Sequence, residues 1–190
     1  MKKVFANIIL WLGIVLIIVS LIFIILSNVN KANLIREIPQ ITEDLYSLMP
    51  DVHSGFIDDR TFMPMSTVEL GTTDYVGIIE IPHYKTVCPV SYHWDIESVK
   101  NQPCRYSGSI YSRDFVMGGT DYQFGFAKLI TIGDEIEFTD MSGAKFTYIV
   151  SNISVEKELP SELISTEESD FVLFIKDSYS NEYTIIYCNL

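Results

Sequence analysis

Basic side chains are scarce in this 190-residue chain, which carries 13 Lys and Arg against 25 Asp and Glu for a formal net charge of −12. Setting aside Lys2 and Lys3 at the amino end leaves eleven basic against twenty-five acidic residues, or −14, in the remainder. A surface that acidic repels phosphate backbones and anionic head groups, so nucleic acid is excluded as an expected partner. Cysteine is equally sparse. Cys88, Cys104 and Cys188 make an odd set with no C-x-x-C pair, which excludes the usual thiolate zinc and dithiol redox motifs. They read as buried thiols, with one bridge plus one free thiol as the competing arrangement. Histidine is limited to His53, His83 and His93, and no arginine follows Arg113.

Charge is missing altogether between Val4 and Asn30. Within that stretch residues 8–26 form a nineteen-residue run of almost purely apolar character. At about 1.5 Å per residue such a helix covers a hydrocarbon core of roughly 30 Å. Residues 8–26 are therefore expected to span a membrane and to contact its lipid. A cleaved signal peptide is the competing reading. Its apolar region is usually about 7–15 residues and is followed by a small-residue cleavage site, for which Ser27-Asn28-Val29-Asn30 offers no match. Lys2 and Lys3 bias residues 1–7 toward the cytoplasm, because Lys31 and Arg36 beyond the apolar run are diluted by Glu37 and Glu43. A single-pass cell-membrane protein results, with its carboxy-terminal domain outside the cell.

What is present beyond the apolar run divides in two. Residues 27–50 read as a juxtamembrane stalk, helical from about residue 31, with Leu34, Ile38, Ile41, Leu45 and Leu48 recurring every three or four positions, interrupted at Pro39 and ended near Pro50. Residues 51–190 read as one β-rich extracellular domain of ordinary size. Its opening, Asp51 to Thr73, is loop with room for a short strand. Strands are expected at Tyr75–Ile81, Lys85–Val90, Ser109–Tyr111, Phe115–Met117, Phe171–Ile175 and Tyr183–Cys188. A hairpin is expected from Glu135–Thr139 through the turn chemistry of Asp140-Met141-Ser142-Gly143 into Lys145–Val150. Asp95 is placed to cap a helical turn running to Lys100, and Gln123–Ile130 reads as another. Seven or eight short strands with few helices indicate a small barrel or sandwich.

Five stretches in order carry a resemblance: residues 75–82 (Tyr-Val-Gly-Ile-Ile-Glu-Ile-Pro), 103–109 (Pro-Cys-Arg-Tyr-Ser-Gly-Ser), 119–122 (Gly-Thr-Asp-Tyr), 133–140 (Gly-Asp-Glu-Ile-Glu-Phe-Thr-Asp), and the segment from Leu173 to Cys188. Together they resemble the sortases, membrane-anchored cysteine transpeptidases of Gram-positive bacteria that join surface proteins to the cell wall. The resemblance implies an eight-stranded β-barrel with short helices behind an amino-terminal transmembrane helix. It also implies a cysteine nucleophile, a histidine that handles protons and an arginine that steadies the oxyanion. The matching positions hold Thr120 for the histidine, Lys176 for the cysteine and Tyr183 for the arginine. A register slip cannot restore them, because no cysteine lies between Cys104 and Cys188, no histidine after His93 and no arginine after Arg113.

No catalytic residue is therefore expected, and no cofactor. Lys176 as an amine nucleophile, or as a base for Ser178, would need a lowered pKa that the adjacent Asp177 opposes. Cys104 and Cys188 fall in flanking stretches where the resemblance gives them a structural role. His83, Cys88 and His93 have metal-ligand chemistry but irregular spacing. Asp58, Asp59, Glu167, Glu168 and Asp170 offer carboxylates to a cation, yet on so acidic a chain they read as solvated surface. The leading expectation is an inactive sortase-like protein with an accessory role in surface-protein or pilus assembly, binding a sorting-signal-like peptide, another sortase or a surface protein. Two alternatives stand beside it, an active transpeptidase with a non-standard site and a degenerate protein with no retained role.

Overall fold

The computed structural model describes residues 2–55, 64–160 and 169–190, with side chains in the first helix described for residues 11–23 and from Glu37 onward. Two compact units result, Met1–Glu37 and Ile38–Leu190. A single helix, α1 (Lys2–Leu48), runs through both. The expected membrane span at residues 8–26 lies partly outside the described side chains, and among the described residues no helix is long and apolar enough to cross a membrane. The large apolar side chains that are described on this stretch are exposed, among them Trp11, Leu16 and Phe23.

Ten strands follow: β1 (His53–Ser54), β2 (Val68–Leu70), β3 (Thr73–Ile81), β4 (Thr86–Ser91), β5 (Cys104–Ser107), β6 (Phe115–Thr120), β7 (Glu135–Asp140), β8 (Ala144–Glu156), β9 (Phe171–Lys176) and β10 (Tyr183–Asn189). Eight of them close on themselves. Starting at β3, each strand pairs with the next in the order β4, β5, β6, β9, β10, β8 and β7, and β7 returns to β3. The pairings β4 with β5 and β6 with β9 are parallel and the other six antiparallel. Short β1 and β2 attach to the outside through β8 and β3. The eight-stranded barrel with short helices is thus the observed architecture, and the sandwich is not.

The two-residue period of strands places alternate side chains inside the barrel. Phe115 and Met117 of β6, Ile136 and Phe138 of β7, Phe146 and Tyr148 of β8, and Phe171, Leu173 and Ile175 of β9 share one interior cluster. The outward residues of β9, Val172 and Phe174, are buried as well, under Trp94 and Tyr106. Cover on both faces explains why β9 reads as an unbroken apolar run rather than an alternating one. The hairpin between β7 and β8 turns as its residues dictate. Asp140 Oδ1 accepts from Ser142 N at 2.9 Å and Ala144 N at 3.0 Å, while Gly143 takes φ +86°, a left-handed value that glycine adopts without steric cost.

Three expectations change. Pro39 does not interrupt the helix, which continues to Leu48. Beyond the proline, Leu45 and Met49 are buried with Tyr75, Ile78 and Met141, so tertiary burial holds the last turns where helix propensity alone would not. Those turns belong to the compact unit rather than standing clear of it. Ser109–Tyr111 is a turn, not a strand, because Asp114 Oδ1 accepts from Ser109 N and Ser109 Oγ accepts from Tyr111 N. The strand in that region lies earlier, at β5. Gln123–Ile130 forms the expected turning segment, with Ala127 N on the Phe124 carbonyl and Ile130 N on the Phe126 carbonyl.

Candidate functional site

Thr120, Lys176 and Tyr183 stand abreast. Thr120 closes β6 and pairs in register with Lys176 at the end of β9, and Lys176 pairs in register with Tyr183 at the start of β10. Residues separated by 56 positions in sequence are brought side by side by the parallel β6–β9 pairing. All three line one cleft of about 320 Å³.

The cleft wall is aromatic. The rings of Trp94, Tyr106 and Phe174 lie with their centroids 5.1 to 5.5 Å apart in tilted and edge-on pairs, the geometry that ring quadrupoles favour. Gly118 on β6 makes this arrangement sterically feasible. A Cβ there would come within 2.3 Å of the Phe174 ring and 2.7 Å of the Trp94 ring. Trp94 reaches the site from the segment between β4 and β5, where Asp95 Oδ2 accepts from Glu97 N at 3.1 Å and Ser98 N at 2.9 Å. This is the capped turn the sequence predicts, ending in a short 3-10 helix at Ser98–Lys100.

Gln123 ties that turn to the threonine. Its Oε1 accepts from Thr120 N at 2.6 Å and Thr120 Oγ1 at 2.7 Å, and its Nε2 donates to the carbonyls of Val99 at 3.2 Å and Lys100 at 3.1 Å. Thr120 is 6% exposed. Its hydroxyl is held as a donor to an amide oxygen.

Lys176 is exposed, and its Nζ lies 5.7 Å from the centroid of the Tyr183 ring, a cation–π distance. The neighbouring carboxylates face elsewhere. Asp177 pairs with Lys128 Nζ at 2.6 Å and accepts from Tyr179 N at 2.7 Å and Ser180 N at 2.9 Å. The Lys128 ammonium, followed by those two amides, holds the Asp177 carboxyl well below the usual carboxylate range. Asp121 Oδ1 accepts from Ser178 N at 3.2 Å and from the Ser178 hydroxyl. The Ser178 oxygen is therefore committed to a carboxylate rather than directed to Lys176.

None of the three cysteines lines the cleft. All are buried and none is in a disulfide. Burial pushes the Cys104 thiol up to about 11 and the Cys88 thiol up to about 12, and raises Cys188 as well. His83 lies against Tyr84, and His93 Nε2 is 3.4 Å from Asp74, so the histidines and Cys88 are not brought together. Among the described residues no group of three or more His, Cys, Asp or Glu is placed to hold a metal ion. Asp58, Asp59, Glu167 and Glu168 lie outside the described residues, and Asp170 faces Arg113 at 3.8 Å.

Sequence reasoning located the three abreast positions but missed the wall. Trp94 and Gln123 gave no periodic or motif signal, although Trp94 is one of only two tryptophans in the chain. Tyr106 and Phe174 stood within the matched stretches without a role attached.

The barrel is similar to solved sortase structures. A Clostridium perfringens sortase D5 transpeptidase is 14% identical, with 62% of this chain and 79% of that chain covered and a TM-score of 0.53. Sortase C1 from Streptococcus agalactiae is 16% identical over 64% of this chain and 69% of that one, TM-score 0.52. Listeria monocytogenes sortase A is 15% identical over 61% and 86%, TM-score 0.50. At these identities the likeness establishes the sortase fold. No protein-family model matches the chain, and no curated protein matches it.

Proposed function

We propose that this chain is a membrane-tethered, extracellular sortase-like barrel that binds a polypeptide in its cleft and performs no transpeptidation. The observation that carries the reading is the row Thr120, Lys176, Tyr183 at the cleft. Amide transfer needs a nucleophile strong enough to attack a poorly electrophilic carbonyl, a group that donates a proton to the leaving amine, and a charge that steadies the oxyanion. A hydroxyl fixed on Gln123, an ammonium and a phenol supply neither the thiolate nor the imidazole. The cleft itself, with its aromatic wall and its glycine clearance, retains the shape of a binding site. The apolar helix surface around Trp11 and Phe23, and the lysines at positions 2 and 3, support the tether and its orientation. The sortase fold supports a surface-associated accessory role, which we read as assisting the assembly of surface proteins or pili.

The test uses the full chain in lipid nanodiscs, incubated with threonine-containing sorting-type peptides and an amine acceptor, with products read by intact mass. Neither peptide cleavage nor a covalent adduct is expected. An acyl group trapped on the chain, lost on Lys176→Ala or Cys104→Ala, would overturn the reading.

A further inference from the structure

Charge in the cleft runs against charge in the chain. The protein carries a formal net −12, yet the charged side chains lining the cleft, among the described residues, are the ammoniums of Lys100 and Lys176, and no carboxylate lines it. Lys100 is already engaged, its Nζ 2.6 Å from Glu97 Oε1. Lys176 is not in an ion pair with any described carboxylate. The nearest in sequence, Asp177, is taken by Lys128, and Asp121 is taken by Ser178. What Lys176 does touch is the π-face of Tyr183, which steadies an ammonium while leaving its N–H donors for a partner.

Resting on the binding role proposed above, we infer that the cleft takes an extended peptide segment bearing a carboxylate, from an acidic side chain or a free carboxy terminus, with that carboxylate on Lys176 and an adjoining apolar side chain against Trp94, Tyr106 and Phe174. Three features restrict the ligand to this class. The aromatic wall of Trp94, Tyr106 and Phe174 favours an apolar group. The two ammoniums repel a cation that the rings alone would attract. One open ammonium on so acidic a protein supplies a single counter-charge, so a polyanion gains one contact and meets repulsion from the remainder. A polypeptide fits better than a small acid, because the cleft of about 320 Å³ offers further apolar lining at Ile96, Val99 and Leu159 beside the aromatic wall, and Ile96 is 69% exposed.

The test measures binding of fluorescein-labelled peptides to the full chain in phosphatidylcholine nanodiscs. Four probes share a Leu-Phe pair followed by glutamate with an amidated end, glutamine with an amidated end, lysine with an amidated end, or alanine with a free carboxylate. The glutamate or the free-carboxylate probe is expected to bind roughly tenfold or more tighter than the glutamine probe, and the lysine probe weakest. Which of the two acidic probes binds identifies the source of the carboxylate. Lys176→Gln should reduce the preference to below about twofold, and Lys176→Arg should keep it, with thermal melts of both variants matching the parent. Equal binding of glutamate and glutamine probes, a preference that survives Lys176→Gln, or no binding by any probe overturns the inference. Equal binding leaves the binding role intact, whereas a cleaved probe or covalent adduct with the acidic preference retained removes the inactive reading and leaves this one standing.

Discussion

Gln123 holds Thr120 by both of its hydrogens, the backbone N–H at 2.6 Å and the hydroxyl at 2.7 Å, and reaches with its other end to the Val99 and Lys100 carbonyls. A single amide thus joins the end of β6 to the turn that carries the aromatic wall. Gln123→Ala leaves the mostly buried Thr120 donors unpaired and should cost about 1–3 kcal/mol of stability. Urea unfolding of the full chain checks the size. Faster amide exchange confined to residues 98–102 and 120–124 would locate the effect, and an unchanged midpoint would refute it.

The thiols should be inert in the folded protein. Burial holds Cys104 at about 11 and Cys88 at about 12. At pH 8 a thiol of pKa 11 is thiolate in only about one part in a thousand, and lack of access slows reaction further. A chromogenic disulfide reagent should therefore register no rapid thiol at pH 8 and all three in denaturant. Because these pKa values are raised, the stability they represent is whole below the unfolded thiol value and falls as pH climbs toward the folded one, so alkali above about 9 should weaken the fold.

Gly118 is expected to tolerate no side chain. A methyl at that position meets the rings of Phe174 and Trp94 at distances below 3 Å. Gly118→Ala should destabilise by about 1–3 kcal/mol and shift tryptophan emission as Trp94 moves off Phe174. The other tryptophan, Trp11, is distant in sequence, so Trp11→Phe in both parent and variant isolates the signal.

Acid should act on the Lys128–Asp177 pair in one direction only. The Asp177 carboxyl is depressed by Lys128 first and by the Ser180 and Tyr179 amides next. Its contribution is complete above the unfolded carboxyl value of about 3.9 and declines as pH falls below it. The stability difference between the parent and Asp177→Asn should be constant from pH 7 to about pH 5 and shrink toward pH 3. A difference that grows on acidification would contradict the assignment. Lys128 is largely exposed, so added salt should also reduce the difference.

How far the sequence reached depended on how local each signal was. The β7–β8 hairpin was legible because Asp140 and Gly143 encode the turn and the flanking residues alternate. The apolar run from Phe171 to Ile175 marked a strand, though not that both its faces are covered. Thr120, Lys176 and Tyr183 could be placed by resemblance, since the stretches around them keep their order. The aromatic wall was not legible, because Trp94, Tyr106 and Phe174 come from three separated segments and meet only when β6 lies beside β9. Pro39 misled for the converse reason: its local cost is real, and the burial of Leu45 and Met49 that outweighs it is a tertiary fact. Ser109–Tyr111 looked extended in isolation, while Asp114 five residues on from Ser109 turns it.

The joint between β4 and β5 rests on one register pair, Ser91 with Cys104, reinforced by the Ser91 amide on the Pro103 carbonyl at 2.9 Å. Every other seam of the barrel has at least three such pairs. The segment bridging this thin seam bears Trp94, so one ring of the aromatic wall is carried by the least-paired joint of the barrel, whereas Phe174 is carried by β9. Gln123 is therefore the second fastening of that segment, through its bonds to the Val99 and Lys100 carbonyls, and it makes up for the pairs this seam lacks.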